Sequence, residues 1–133
     1  NLTKTNGTFS STGVDDESEA EILIGKNIQA NCKVSFRKNL DNSCIIYGKR
    51  GTIKIPTPWL PPQKSYFEVI NKSSYYKKFI TCEKSVYASQ IETIANLFIK
   101  NSTSETNSVS INESIEIMKI LDKWRASLIK NNV

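Results

Sequence analysis

Histidine is absent from the 133 residues, and its absence excludes several kinds of site. Ser-His-Asp and Cys-His nucleophilic centres, His-ligated zinc and imidazole pH switches all require that side chain. The three cysteines, Cys32, Cys44 and Cys82, are odd in number, widely spaced and without a C-x-x-C pair. This pattern argues against a disulfide framework and predicts three reduced thiols. We therefore expect no metal ion and no catalytic centre within the chain.

Long apolar runs and arginine are also scarce. The apolar runs are only a few residues long, so the sequence predicts neither a transmembrane helix nor a signal peptide. With reduced thiols, this indicates a cytoplasmic protein with no membrane partner. Lysine supplies most of the 18 basic residues behind the net charge of +5. Because nucleic-acid readers favour arginine, we expect a solvated basic surface and no nucleic-acid partner.

The length suits one domain with a single core. Residues 1–18 are polar, with turn residues at Asn6, Gly7 and Gly13, and they predict a loosely held N-terminal arm. From Glu19 onward apolar and polar residues begin to alternate. Residues 19–133 are therefore predicted to form one α+β domain.

The clearest alternation runs from Ile28 to Arg37 and predicts a strand with one apolar face. Its opposite, polar face carries Gln29, Asn31, Lys33, Ser35 and Arg37. Two interpretations of this polar face stay open, namely plain solvent exposure and a polar subunit interface. Similar but shorter patterns bring the total to about six strands of a mostly antiparallel sheet.

A proline-rich segment follows the middle strands. Pro56–Pro62 holds four prolines in seven residues, which excludes a helix and a sheet ladder and predicts a rigid loop around Trp59. Such a loop could use the tryptophan to wall a small-molecule pocket. Alternatively, the ring could cap the sheet edge or pack on the final helices.

The last third of the sequence has helical periodicity. One apolar stripe is preceded by Ser85 as a possible N-cap, and a second follows the capping-box pattern of Ser110 and Glu113. We expect both helices to pack their stripes as core against one face of the sheet. The stripes are Tyr87, Ile91, Ile94 and Phe98, and then Ile117, Leu121, Trp124 and Leu128.

No phosphate-binding motif is present. Gly48–Gly51 lacks the spacing of a P-loop, and no G-x-G-x-x-G opens a helix after a strand. The residues alone therefore predict a helix-covered antiparallel sheet without a cofactor site or catalytic machinery.

Four stretches in order resemble the C-terminal domain of the Gfo/Idh/MocA oxidoreductases, nearest to their dihydrodiol-dehydrogenase-like branch. Thr12–Asp16 (TGVDD) is similar to that family's T-G-V-D-E segment. Cys32–Asn42 (CKVSFRKNLDN) resembles its C-S-F-R-T-N-L-P-N strand and turn. Ile46–Trp59 (IYGKRGTIKIPTPW) resembles its I-Y-G-T-K-G-x-I-x-I-P-x-P-F/W block. The segments Tyr87–Ile91 and Ser110–Trp124 are similar to its closing helix pair.

The resemblance implies the substrate-side and oligomerisation domain of an oxidoreductase that transfers a hydride between NAD or NADP and a sugar, polyol or cyclic diol. It also implies that the Rossmann domain lies outside this chain, which would be an inactive fragment when isolated. The substrate would lie between the two domains, and Trp59 and Tyr87 are the substrate-binding candidates. The open sheet face of such proteins commonly joins subunits, which favours a homo-oligomeric interface at Gln29, Asn31, Lys33, Ser35 and Arg37. Met118 and Ile120 would meet the missing domain.

The sequence also departs from the family pattern. The E-K-P lysine and the acid/base residue of the family are not in this chain, and Gln90 stands where a glutamate is usual. In the family's W-C-P stretch the tryptophan aligns with Leu60, one position after Trp59. The alternative function is a free-standing, non-catalytic interaction module with the same fold.

Overall fold

The computed structural model describes residues 1–100 and 109–131. Its strands form two antiparallel sheets, one of three strands and one of four, and consecutive strands pair in each. An α+β fold is therefore confirmed, whereas the expected single sheet of about six strands is wrong. The elements are β1 (Leu2–Phe9), β2 (Asp15–Ile24), β3 (Ile28–Ser35), β4 (Cys44–Gly48), β5 (Gly51–Ile55), β6 (Lys64–Ile70), β7 (Tyr75–Thr81), α1 (Val86–Lys100) and α2 (Ile111–Asn131).

The first sheet ends at β3 because turn chemistry follows it. Residues 36–43 adopt bends and irregular backbone rather than a strand. At the end of β3 the Ser35 hydroxyl accepts hydrogen bonds from the backbone N–H groups of Arg37 (3.0 Å) and Lys38 (2.9 Å). Such a local side-chain turn satisfies backbone groups that a continuing ladder would otherwise use.

The chain divides into two compact units, which differs from the expected single domain over residues 19–133. Unit 1 comprises Asn1–Leu40 and Val109–Val133, and unit 2 comprises Asp41–Ser108. Residues 1–18 are not a loose arm, since Leu2–Phe9 pairs with β2 along its length. This strand, β1, lacks apolar alternation. It is stabilised by its backbone hydrogen bonds to β2 and by its contacts with α2, and not by a row of large apolar side chains.

The core of unit 1 lies where α2 packs on β1 and β2. Ala20, Trp124 and Leu128 are its buried apolar residues. A Cβ added at Gly7 would lie 2.5 Å from the Glu17 carbonyl oxygen and 3.2 Å from Leu128 Cδ2, so only glycine permits this close approach.

Polar contacts also fix α2 on β1. The Thr5 and Ser127 hydroxyls are 2.7 Å apart, and the Asn131 amide donates to the Thr5 carbonyl at 3.2 Å. These partly buried hydrogen bonds satisfy polar groups that the packing removes from water.

Both predicted helix starts are confirmed. At α2 the Ser110 hydroxyl accepts from the Glu113 N–H (3.2 Å), and the Glu113 carboxylate accepts from the Ser110 N–H (2.8 Å). This reciprocal pair is a capping box. At α1 the Ser85 hydroxyl accepts from the Ala88 N–H at 3.3 Å.

The helical stripes are buried only in part, so the expectation that both pack as core is wrong. In α2, Trp124 and Leu128 are buried whereas Ile117 and Leu121 are exposed, because only the C-terminal half of the helix lies over β1. The stripe of α1 is exposed throughout. In the described part of unit 2, α1 has no extended contact with the strands. Neither helix is apolar over enough of its described length to cross a bilayer.

Candidate functional site

The two predicted substrate-binding residues both lie in unit 2. Trp59 projects from the loop between β5 and β6, with 69% of its surface exposed. Tyr87 is the second residue of α1 and is also exposed. Among the described residues the one ring–ring contact joins Tyr66 and Phe79, so the rings of Trp59 and Tyr87 do not touch. Their role in substrate binding stays a prediction.

The predicted interface residues lie along β3 and just beyond it. Gln29 and Lys33 interact with the neighbouring strand β2 in the same sheet. The Gln29 amide donates to the Glu21 carboxylate at 3.3 Å, and Lys33 Nζ lies 3.7 Å from a Glu19 oxygen. These exposed cross-strand pairs leave Gln29 and Lys33 satisfied within the chain. Asn31 and Ser35 occupy alternate positions on the same face, and Arg37 follows the end of the strand.

Arg37 is held by the largely buried Asp16 rather than pointing freely outward. Its guanidinium forms an ion pair with one Asp16 oxygen, while the other oxygen accepts a hydrogen bond from the Thr8 hydroxyl at 2.6 Å. The hydrogen bond from Thr8, and after it the hydrogen bond and the charge of Arg37, hold the pKa of Asp16 below its usual value, although burial acts to raise it. The Ser35 hydroxyl accepts from the Arg37 N–H at 3.0 Å and fixes this turn.

A second carboxylate in this cluster is paired in the same way. Lys38 Nζ donates to the Glu17 carboxylate at 2.9 Å, and Lys33 Nζ lies 3.9 Å from it. The hydrogen bond from Lys38 is the largest effect that lowers the pKa of Glu17. The polar side of unit 1 thus carries a network of ion pairs that join neighbouring strands and the turn after β3.

A nicotinamide dinucleotide does not fit the described residues. Rossmann sites bind pyrophosphate at a helix N-terminus that follows a strand through a glycine-rich turn. Here all strand pairs are antiparallel, and the N-termini of α1 and α2 are capped by Ser85 and by Ser110 with Glu113. The Glu113 carboxylate would also repel a phosphate. No step of dinucleotide chemistry is therefore assigned to this chain.

The described residues also contain no group of three or more His, Cys, Asp or Glu side chains placed to hold a metal ion. The three cysteines are free thiols, with Cys82 exposed and Cys32 and Cys44 half-buried.

The β4–β7 sheet has two different faces, which follow from its register. One, here called the apolar face, contains the cross-strand row Ile46–Ile53–Val69–Tyr76. The other, here called the aromatic face, contains the rows Ile45–Lys54–Glu68–Lys77, Tyr47–Thr52–Ile70–Tyr75 and Tyr66–Phe79. Since side chains alternate along a strand, each row lies on a single side of the sheet.

Side chains on the aromatic face form an ordered array. The Tyr75 hydroxyl donates to Glu68 at 3.2 Å, and Lys77 Nζ lies 3.2 Å from the same carboxylate oxygen. Lys77 Nζ also lies 4.5 Å from the centre of the Tyr66 ring. The Tyr66 and Phe79 ring centres are 5.8 Å apart, with a tilt of 50°. These contacts fix aromatic rings and charges on an open surface.

The electrostatics of the array depend on the central ion pair. The Lys77 contact is the largest effect that lowers the pKa of Glu68, and the Glu68 contact is the largest that raises the pKa of Lys77. Both groups are therefore charged at neutral pH. The sequence analysis did not predict this array. Its residues alternate within two segments of the sequence, Y-F-E-V in β6 and Y-Y-K-K-F in β7.

A depression of about 440 Å³ lies along the first turns of α2. Its apolar lining consists of Val109, Ile111, Ile115 and Met118, and Lys119 and Asp122 lie at its margin. Met118 is thus on an open apolar surface away from the stripe that meets β1.

Comparisons of the chain with protein-family models, with curated protein sequences and with solved structures gave no match.

Proposed function

We propose that this chain is the substrate-side and oligomerisation domain of an NAD(P)-dependent oxidoreductase acting on a sugar, polyol or cyclic diol. A Rossmann domain outside the 133 residues would hold the dinucleotide, which supplies the hydride-transfer chemistry. This chain would hold the substrate and join the subunits. The observation that carries the proposal is the exposed Trp59 ring, presented by a proline-rich loop directly after the β4–β5 hairpin.

The proposed role of Trp59 follows from its position. Prolines restrict the loop, so little conformational entropy is lost when the ring contacts a ligand. A flat indole can pack against the C–H face of a sugar or cyclic diol while water is displaced. The depression with Met118 offers a second apolar surface, where the dinucleotide-binding domain could dock.

The first experiment is to read the coding sequence upstream of Asn1. About two hundred codons that encode a strand, a G-x-G-x-x-G turn and a helix would support the proposal. A reading frame that starts just before Asn1 would contradict it and favour a free-standing interaction module. Titration of NADH into the isolated chain should show no saturable binding.

The second experiment uses the full-length enzyme. We expect Trp59→Ala to raise KM for the substrate about tenfold or more, the equivalent of roughly 1.4 kcal/mol of lost binding. KM for the dinucleotide should not change. The matched control is Trp59→Phe, which keeps an aromatic face and should stay within a few-fold of the wild type. An unchanged substrate KM in Trp59→Ala would remove Trp59 from the site.

A further inference from the structure

The excess positive charge of the chain lies almost entirely in unit 2. This unit contains nine basic and five acidic residues, whereas unit 1 contains nine basic and eight acidic residues. Many charges of unit 1 pair with each other between strands and turns. In the described part of unit 2, the basic residues that form ion pairs are Lys77 and Lys84. Unit 2 therefore presents positive charge that a negatively charged partner would complement.

Two hairpin turns bring three basic residues together at one end of the β4–β7 sheet. Lys49 and Arg50 form the turn between β4 and β5, and Lys72 lies in the turn between β6 and β7. The turns are close, because β5 pairs with β6 and a Cβ added at Gly51 would lie 3.0 Å from Asn71 Cβ. All three basic residues are exposed, and none forms an ion pair with a described residue. This cationic surface is here called the basic end.

Exposed aromatic rings of the aromatic face adjoin the basic end. Tyr47 and Tyr75 are 79% and 57% exposed, and they stand at the two ends of one cross-strand row, each next to one of the turns. Since neighbouring strands lie about 4.8 Å apart, the backbones of these two residues are about 14 Å apart. Phe79, which is 74% exposed, lies further along β7 on the same face. Rings and cations thus share one continuous surface.

We infer that the aromatic face and the basic end together bind a single-stranded nucleic acid. Phosphate groups lie against Lys49, Arg50 and Lys72, and unpaired bases stack on Tyr47 and Tyr75. Every nucleotide carries a phosphate and every base has a flat face, so this binding depends little on nucleotide sequence. The inference goes beyond the proposed function, which assigns no role to this face of unit 2.

The expectation of no nucleic-acid partner was based on the scarcity of arginine in the sequence. Arginine is favoured where a protein recognises base edges in the grooves of a duplex. A single strand is held instead by charges along its backbone and by stacking of its bases, for which lysine and tyrosine suffice. The strand register brings these side chains together, and residue composition does not contain that register.

Other groups on the aromatic face do not oppose this ligand. The Glu68 carboxylate is already neutralised, since Lys77 Nζ lies 3.2 Å from it. Lys77 Nζ also lies 4.5 Å from the centre of the Tyr66 ring, so that ring is covered and is not a stacking position. A duplex fits less well, because its bases are stacked inside and do not reach the exposed rings. An acidic peptide would match the basic end but would leave the rings without flat partners.

Fluorescence anisotropy of the 133-residue chain with labelled oligonucleotides tests the inference. The probes are single-stranded DNA and RNA of about 12 nucleotides and a duplex of the same length. We expect saturable binding of the single strands, at least about tenfold tighter than binding of the duplex, because the duplex forgoes base stacking on the rings. With three phosphates neutralised, the logarithm of the association constant should fall against the logarithm of salt concentration with a slope of about −2.

Matched substitutions in hairpin turns test the basic end. Lys49→Gln and Lys72→Gln should each weaken binding at low salt and make the salt slope shallower by about 0.7. Lys26→Gln is the control, because Lys26 is also an exposed lysine of a hairpin turn, but the turn joins β2 and β3 in unit 1. This control should leave both the affinity and the slope unchanged.

Substitutions of tyrosine test the stacking. Tyr47→Ala should lower the affinity for single strands at least about fivefold and leave the salt slope unchanged. Tyr47→Phe keeps the ring and should bind like the wild type. Phe36→Ala is the matched control, because Phe36 is 90% exposed outside the aromatic face, and it should have no effect. Circular dichroism would verify that each variant is folded.

Several outcomes would overturn the inference. They are no saturable binding of either single strand, equal affinity for the duplex, equal effects of Lys49→Gln and Lys26→Gln, and unchanged affinity in Tyr47→Ala. Competition by polyglutamate as strong as that by unlabelled oligonucleotide would also overturn it and would indicate an acidic protein partner. All these measurements omit dinucleotide and substrate, so their failure is distinct from a failure of the proposed function.

Discussion

The two units use similar elements, an antiparallel sheet and one helix, but differ in how the helix relates to its sheet. In unit 1, α2 lies on β1 and buries Trp124 and Leu128. In unit 2, α1 keeps its apolar stripe exposed, and both faces of the sheet carry exposed apolar side chains. Burial of apolar surface is the main stabilising term in folding. Unit 1 therefore has its own stabilising core, whereas the described part of unit 2 leaves much of its apolar surface exposed.

The largest expected effect that tests this contrast is in the core of unit 1. Leu128→Ala should lower the free energy of unfolding by about 2–5 kcal/mol, since Leu128 is only 1% exposed. Leu121→Ala, in the same helix at 45% exposure, should cost less than about 1 kcal/mol. Urea denaturation in a Trp59→Phe background would follow Trp124 fluorescence and thus unit 1. Equal losses in the two variants would mean that the N-terminal half of α2 is also packed.

The helix caps provide a smaller and sharper comparison of the two units. Ser110→Ala removes the cap of α2 and should destabilise unit 1 by about 1 kcal/mol. Ser85→Ala removes the cap of α1, which lacks extended contacts with its sheet, and should lower helicity without shifting the unfolding midpoint of unit 1. Far-ultraviolet circular dichroism and Trp124 fluorescence would be measured together. A shift of the Trp124 midpoint in Ser85→Ala would show that the units unfold as one.

The smallest expected effect is the response of unit 1 to acid. The pKa of Asp16 is lowered in the folded chain, so its stabilising contribution is present above the unfolded value of 3.8. It is lost as the pH falls from there through the folded pKa. Urea midpoints measured between neutral pH and pH values below about 4 should therefore fall less steeply for Asp16→Asn than for the wild type. Parallel pH profiles would contradict this assignment.

Local patterns predicted the elements well. The alternation that begins at Ile28 predicted β3 and its polar face. The S-x-x-E motif that begins at Ser110 predicted the start of α2. Both patterns depend only on residues that are close together in the chain and on the geometry of one strand or one helix end. They can therefore be recognised in one sequence without knowledge of the fold.

These local patterns could not predict which distant parts of the chain contact each other. The strand β1 has few apolar residues, and its stability depends on β2 and on residues of α2 more than one hundred positions away. Likewise, the pairing of Arg37 with Asp16 could not be read from the alternation on β3. The aromatic face required the register of four strands, which no periodicity within one strand specifies.

The order of synthesis acts differently on the two units. Unit 2 is continuous and its sheet forms from successive neighbours, so it can assemble while translation proceeds. Unit 1 is discontinuous, so β1 can be covered only after α2 has been made, because Thr5 is hydrogen-bonded to Ser127 and Asn131 of that helix. Cleavage of the chain within α2 before Ser127 would remove both partners and would leave Thr5 of β1 open to water and to proteases.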